Sequence, residues 1–218
     1  IQERAKPEAP DRPEPFIYEG NAPAEVRSNV LLKTLLSRVP EKPPARARLW
    51  LGEPNAIKGP TEAVFQRQSG NHLLLVGQTD EAVLAAFSVG LVSLAAQYPR
   101  DGVRFVVFDS TPPETSQHDF LQRLAGIIPQ EITVARGTEL ADVLRGLVAE
   151  VQQRSENPGR HDAPDCFVFF HGLQNFKKLR QEDDFSFSSG DDEATPAKMF
   201  GQLLAEGAAC GIHVIAIN

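Results

Sequence analysis

The segment that directly follows the apolar run 72–76 contains the residues best placed to do chemistry. It comprises Gly77, Gln78, Thr79, Asp80, Glu81, Ala82, Val83 and Leu84. A turn between a short apolar run and a helix is where loops of the pattern G-x-x-x-x-G-K-[ST] bind phosphates. In that pattern, backbone N–H groups surround the phosphates, the lysine neutralises charge and the hydroxyl holds Mg²⁺. Gly77 matches the first glycine.

The other positions of the pattern lack phosphate-binding residues. Ala82 stands at the second glycine, Val83 at the lysine and Leu84 at the Ser/Thr position. Asp80 and Glu81 add two carboxylates at the start of a helix, where they would satisfy free N–H groups and repel a triphosphate. We therefore predict a vestigial nucleotide site without catalytic residues.

Hydrolysis of a nucleoside triphosphate also needs an acidic residue at the end of a buried strand, where it organises Mg²⁺ and polarises water. The apolar run 166–170 is followed by His171 and Gly172. These two residues occupy the position of the acidic pair, and we interpret His171 as structural. Asp109 ends the run 103–108, and we interpret it as a turn residue of the sequence DSTPPE.

Apolar periodicity predicts the elements that position these residues. We divide the chain into an N-terminal linker with an amphipathic helix (1–45, helix 24–39) and an α/β domain (46–218). Strands are predicted at 49–51, 72–76, 103–108, 131–135, 166–170 and 212–217, and helices at 80–97, 120–128 and 138–154, the last capped by Thr138. A helix or a loop is expected up to Gly70, and a flexible acidic loop at 177–198.

This alternation of strands and helices predicts a mostly parallel sheet with helices on both faces. Because the last predicted strand reaches the last residues of the sequence, we expect the sheet to be incomplete at its C-terminus. No apolar run reaches the length of about 18 residues that a transmembrane helix needs, so no membrane insertion is expected. Cys166 and Cys210 are too few for a disulfide framework, which favours reduced, buried thiols and a cytoplasmic location. The net charge of −7 disfavours direct DNA contact by this segment.

Three other kinds of site are disfavoured. A zinc site made of Cys166, His171, Cys210 and His213 is excluded because the first two lie at opposite ends of one strand, about 16 Å apart. Gly77 alone does not make a dinucleotide-binding fingerprint. A serine hydrolase would need a G-x-S-x-G sequence, which the chain lacks. We therefore predict no bound metal.

In the order of its segments, residues 49–218 resemble the FtsK/SpoIIIE-type ATPases, including those of type VII secretion. The resemblance lies in LWLGEPN with GNHLLLVG, in VRFVVFD, in the stretch from LAGIIPQ to EVQQR (Glu150 and Arg154), and in LLAEGAACGIHVIAIN with Gly211, Ile212 and His213. It implies a RecA-like P-loop fold in which strand 212–217 lies between strands 72–76 and 166–170. It also places Asn218 at a sensor-like position.

The resemblance further implies a non-catalytic module of a larger translocase, which acts in domain assembly, regulation or cargo contact. The expected partners are other ATPase domains of the same chain and, through the parent motor, DNA or a secreted protein. ATP and Mg²⁺ are expected for the parent and no cofactor for this domain. One alternative is an ATP-binding, weakly active domain of a DNA translocase whose site is completed by a neighbouring subunit. Only this alternative predicts Mg²⁺-dependent nucleotide binding.

Overall fold

A five-stranded parallel sheet forms the centre of the chain. The computed structural model describes residues 26–52, 59–77, 79–115, 117–157, 163–180 and 195–218. In chain order the elements are α1 (Val30–Leu36), β1 (Ala47–Gly52), β2 (Thr61–Phe65), β3 (Leu73–Leu75), α2 (Asp80–Ala95), β4 (Val103–Asp109), α3 (Phe120–Ile127), β5 (Glu131–Ala135), α4 (Leu140–Glu156), β6 (Asp165–His171), α5 (Pro196–Glu206) and β7 (Ile212–Ile217). The sheet has the order β3-β7-β6-β4-β5, and β1 pairs with β2 in a separate antiparallel sheet.

Successive residues of the strands face two different cores. Phe105, Phe167 and Phe169 lie in a core shared with α2, α3 and the β1–β2 pair. Val106 and Phe170 lie in the core shared with α4 and α5. A strand covered on both faces has no solvent-facing side, which explains the continuous apolar sequence CFVFF of β6. The predicted α/β fold with helices on both faces is confirmed.

The strand order also confirms the expected position of the last strand. β7 lies between β3 and β6, and every pair of neighbouring strands in this sheet is parallel. This arrangement is the RecA-like fold that the segment order implied. It brings the carboxyl ends of β3, β7, β6 and β4 to one edge of the sheet, where the predicted site residues lie.

Two local predictions were wrong. The stretch before Gly70 contains β2, whose TEAVF sequence pairs with β1 over five residues and buries Phe65. Its sequence is polar at Thr61 and Glu62 and apolar from there to Phe65, so it lacks the alternation that would have predicted a half-buried strand. Thr138 does not cap α4, because the residue that precedes this helix is Glu139, which makes no side-chain cap hydrogen bond. The Glu139 carboxylate instead accepts a hydrogen bond from the Arg136 N–H at 3.0 Å.

The predicted helix at 24–39 is shorter and divided. A 3₁₀ turn (Val26–Ser28) precedes α1, and Asn29 separates the two because its backbone is extended. The Asn29 side chain caps α1 by accepting a hydrogen bond from the Leu32 N–H at 2.9 Å. Both ends of the expected acidic loop 177–198 belong to regular structure instead. Lys177–Leu179 forms a 3₁₀ turn and Thr195 caps α5. Residues 1–25 and 181–194 lie outside the described residues.

A polar network fastens the β2–β3 connection to the amino end of the sheet. The Arg67 guanidinium donates to Asp165 Oδ1 from Nε (3.1 Å) and Nη2 (2.9 Å), and Tyr98 donates to Asp165 Oδ2 at 2.8 Å. Burial, and then the Asp165 carboxylate, raise the pKa of Tyr98. The neighbouring ring of His213 bonds the Asn71 carbonyl oxygen through Nδ1 at 2.9 Å. These side chains serve the scaffold, at the edge opposite the predicted nucleotide site.

The packing of α2 on β1 generates a stability test. A Cβ at Gly90 of α2 would lie 2.9 Å from Cδ1 of the fully buried Leu49, whereas a Cβ at Gly146 of α4 would meet nothing within 4 Å. We expect Gly90→Ala to lower the free energy of unfolding by roughly 1–3 kcal/mol through overpacking. The same change at Gly146 should raise it by roughly 0.5–1 kcal/mol. Urea unfolding measures both, and equal effects would contradict the packing described.

Candidate functional site

The carboxyl edge of the sheet brings together four of the predicted positions. Gly77 follows β3, Asn218 follows β7, His171 ends β6 and Gly172 follows it. Asp109 ends the neighbouring strand β4 and pairs in register with His171. In open α/β sheets, ligands bind outside the carboxyl ends of the strands, so this edge is where a nucleotide site is expected.

Protein atoms lie close to Gly77 on the side where a Cβ would project. A Cβ built on Gly77 would lie 3.3 Å from Cγ2 of Val83 and 3.6 Å from the main-chain oxygen of Asn218. The Gly77 N–H donates a hydrogen bond to that same oxygen at 2.6 Å. The first glycine of the phosphate-binding pattern therefore directs its N–H at the protein, and a valine methyl group lies beside it.

The helix after Gly77 starts too early to leave a phosphate-binding loop. α2 begins at Asp80, so Ala82, Val83 and Leu84 are already helical. Val83 and Leu84 are partly buried and pack against the core on this face of the sheet. Thr79 precedes the helix without a side-chain cap hydrogen bond, and the exposed Asp80 and Glu81 occupy its first turn. Gln78 lies outside the described residues.

The backbone and side chain of Asn218 both hold strand ends together. Its N–H donates to the Leu75 carbonyl at 3.0 Å, and its main-chain oxygen accepts from Gly77. Its side-chain Oδ1 accepts from the Leu173 N–H, in the turn after β6, at 2.7 Å. The residue predicted to be sensor-like thus links β3, β7 and the turn after β6, with its side-chain oxygen already engaged.

His171 forms a cluster with Asp109 and Thr111. Its Nδ1 lies 3.7 Å from Asp109 Oδ1 and 3.3 Å from Thr111 Oγ1, and its ring packs edge-on against Phe87 of α2. Asp109 is 3% exposed and accepts hydrogen bonds from the Thr111 hydroxyl (2.5 Å) and N–H (2.9 Å). The bond to the Thr111 N–H agrees with the interpretation of Asp109 as a turn residue. Its contact with His171 was missed, although aligning VRFVVFD with DCFVFFH in parallel register would have placed the two side by side.

The surroundings of Asp109 favour its ionised form. Burial alone raises the pKa of this carboxyl, but its interactions with His171 and its hydrogen bonds from Thr111 outweigh burial and hold the pKa below the ordinary value. Arg136 adds a positive charge, with Nη2 at 4.0 Å from Asp109 Oδ2. The carboxylate is therefore compensated by the protein itself, and it anchors the turn after β4.

Gly172 is fixed by its backbone and by the space around it. Its φ of +71° lies in the left-handed region, and a Cβ there would come within 2.4 Å of Ser110 Oγ. Ser110 is held in place because its hydroxyl donates to the His171 carbonyl (2.7 Å) and accepts from Asn175 Nδ2 (3.0 Å). A carboxylate side chain at position 172 would therefore collide with the turn after β4.

The thiols and imidazoles discussed above do not form a metal site. Cys166 is buried in β6, which raises the pKa of its thiol to about 12, and Cys210 is only half-buried. Among the residues that the structure describes, no group of three or more His, Cys, Asp or Glu side chains could hold a metal ion. In the same part of the chain, no helix has the length and apolar character needed to cross a bilayer.

The strand order and the turn between β3 and α2 define a RecA-like P-loop α/β fold. A solved structure with a similar fold is Thermomonospora curvata EccC (ATPases 2 and 3) in complex with a signal sequence peptide. The TM-score is 0.53 at 16% sequence identity, and the match covers 79% of this chain and 32% of that one. This chain thus corresponds to about a third of the EccC chain. Neither a family model nor the sequence of a curated protein matches it.

The Asp109 cluster predicts a pH-dependent contribution to stability. Because the pKa of Asp109 is lowered on folding, its contribution is complete above the ordinary value of 3.8 and is lost as the pH falls through the folded value. We expect Asp109→Asn to cost roughly 1–3 kcal/mol at neutral pH and progressively less below about pH 4. Urea unfolding at several pH values measures this.

The exposed Asp101 provides a matched control, since Asp101→Asn removes a carboxylate that lies at the surface. We expect Asp101→Asn to have little effect on the free energy of unfolding at neutral or at acid pH. A cost of Asp109→Asn that stays constant from neutral to acid pH would contradict the lowered pKa of Asp109.

Proposed function

We propose that this chain is a non-catalytic RecA-like module of a larger FtsK/SpoIIIE-like translocase ATPase, acting in domain assembly, regulation or cargo contact. The proposal rests chiefly on one observation, the Val83 methyl group that lies over Gly77. In a phosphate-binding loop this position carries the lysine that contacts the phosphates, and here an apolar side chain fills its space. Because Val83 belongs to α2 and packs against the core, vacating that space requires movement of the helix start.

Electrostatics at the start of α2 supports the proposal. A helix N-terminus attracts phosphate through its free N–H groups and its dipole. Here Asp80 and Glu81 place two negative charges in that first turn. They occupy the favourable position themselves and would repel a triphosphate. No lysine of the segment compensates them, since Val83 stands at the lysine position.

The end of β6 lacks the means to activate water. A hydrolytic site needs a carboxylate there to organise Mg²⁺ and the attacking water. His171 interacts with the buried Asp109, and Gly172 has no space for a larger side chain. The acidic pair is absent from the end of β6, and the lysine and the hydroxyl are absent from the phosphate loop. Both absences are expected in a module that no longer hydrolyses ATP.

The structural neighbour suggests the setting of such a module. The EccC structure comprises ATPases 2 and 3 in complex with a signal sequence peptide. By analogy, we propose other ATPase domains of the same chain as partners, a secreted protein as the cargo of the parent motor, and a cytoplasmic location. ATP and Mg²⁺ then belong to the active domains of the parent. DNA is a less favoured cargo for direct contact, because the chain carries a net charge of −7.

Calorimetric titration with ATP and Mg²⁺ tests the proposal. We expect no Mg²⁺-dependent heat up to about 1 mM nucleotide, which corresponds to less than about 4 kcal/mol of binding free energy. Mg²⁺-dependent binding tighter than about 100 μM, roughly 5–6 kcal/mol, would refute it and favour an ATP-binding domain completed by a neighbouring subunit.

Two double variants identify the side chains responsible. Val83→Lys with Leu84→Thr restores the cation and the hydroxyl of the phosphate-binding pattern. Val83→Ala with Leu84→Ala opens the same space without adding either group. Binding gained by the first variant alone would show that the missing polar groups matter. Binding gained by both would show that the valine over Gly77 is the main obstacle.

A further inference from the structure

The sheet contains a topological switch point away from the vestigial nucleotide site. After β4 the chain passes into α3, which packs on the face that α2 also covers. After β5 and β6 it passes into α4 and α5, which pack on the opposite face. Since β4 lies between β6 and β5, the loop after β4 diverges from the loops on both sides. A crevice opens at such a point, and ligands of open α/β sheets bind in crevices of this kind.

A cavity of about 440 Å³ occupies this crevice. This volume lies in the range of small-molecule binding sites. All three diverging loops contribute to its walls, with residues 109–113 after β4, residues 136, 137 and 140 between β5 and α4, and residues 175–178 after β6. It shares no residue with the segment 77–84.

The walls of the cavity combine positive charge with apolar surface. Arg136, Lys177 and Lys178 line it together with one carboxylate, Asp109. Asp109 Oδ2 lies 4.0 Å from Arg136 Nη2, so this carboxylate and the guanidinium already face each other. Among the described residues neither Lys177 nor Lys178 forms a salt bridge, which leaves both ammonium groups to face a ligand.

Apolar groups complete the lining. Pro112, Pro113, Leu140 and Phe176 lie beside the basic residues. Phe176 and Leu140 are buried and belong to the core under α4, so they form a fixed wall. A ligand that suits this cavity carries a compact anionic group at one end and an apolar or aromatic group at the other.

We propose that this crevice binds a small organic phosphate. Its phosphate would contact Arg136, Lys177 and Lys178, and its apolar part would lie against Leu140 and Phe176. A phosphate monoester carries a charge close to −2 at neutral pH, which matches three basic groups better than a single carboxylate does. Arginine adds planar, bidentate recognition of phosphate oxygens. The site is independent of the proposed loss of ATP hydrolysis.

Calorimetric titration of the 218-residue chain with phenyl phosphate, without Mg²⁺, tests the proposal. We expect a dissociation constant of about 1 mM or lower, weaker binding of inorganic phosphate, and no binding of phenol. Lys177→Gln with Lys178→Gln should weaken phenyl phosphate at least about tenfold, because two charge-assisted contacts are lost. Both lysines are exposed, so this double variant keeps the fold.

Lys33→Gln is the matched control, since Lys33 is an exposed lysine of α1 outside the crevice. It should leave the affinity unchanged. The proposal would be overturned if no binding is detected at a phenyl phosphate concentration about ten times the expected dissociation constant. Equal weakening by Lys33→Gln and by the double variant would also overturn it, because binding would then reflect overall charge. Because Mg²⁺ is left out and the variants lie outside 77–84, neither result bears on the vestigial nucleotide site.

Discussion

The hydrogen bond from the Gly77 N–H to the Asn218 main-chain oxygen joins the ends of β3 and β7, and the arrangement of the whole carboxyl edge depends on it. With this donor engaged by the protein, the chain turns directly into α2 at Asp80. Val83 then lies beside Gly77 and packs against the core on this face of the sheet. A working phosphate loop requires the opposite arrangement, with free N–H groups around an open space.

The end of β6 is also held by contacts within the protein. Asn218 Oδ1 holds the turn that follows this strand, and Gly172 adopts a left-handed backbone against Ser110. The buried carboxylate at this edge belongs to Asp109, which accepts hydrogen bonds from Thr111 and lies 3.7 Å from Nδ1 of His171. Polar groups at this edge thus make their interactions between strand ends, which stabilises the fold.

Sequence patterns were most informative where one physical requirement dominated. The buried strand β6 follows from the unbroken apolar run CFVFF, and β7 lies between β3 and β6 as the segment order implied. The interpretation of the loop after Gly77 as vestigial, which rests on Val83 and Leu84, stays a prediction. The patterns failed where tertiary contacts decide. β2 is a strand because it pairs with β1, and Glu139 displaces Thr138 at the start of α4 through its bond to Arg136. The crevice at β4 could not be foreseen, since its basic residues come from loops far apart in the sequence.

Site-resolved NMR of the Gly77 amide tests the central claim most directly. The hydrogen bond to Asn218 predicts slow amide hydrogen exchange, and the engaged N–H predicts an unchanged chemical shift when ATP and Mg²⁺ are added at about 1 mM. Fast exchange, together with a shift of this amide on addition of the nucleotide, would contradict the account, because the N–H would then be available to a phosphate.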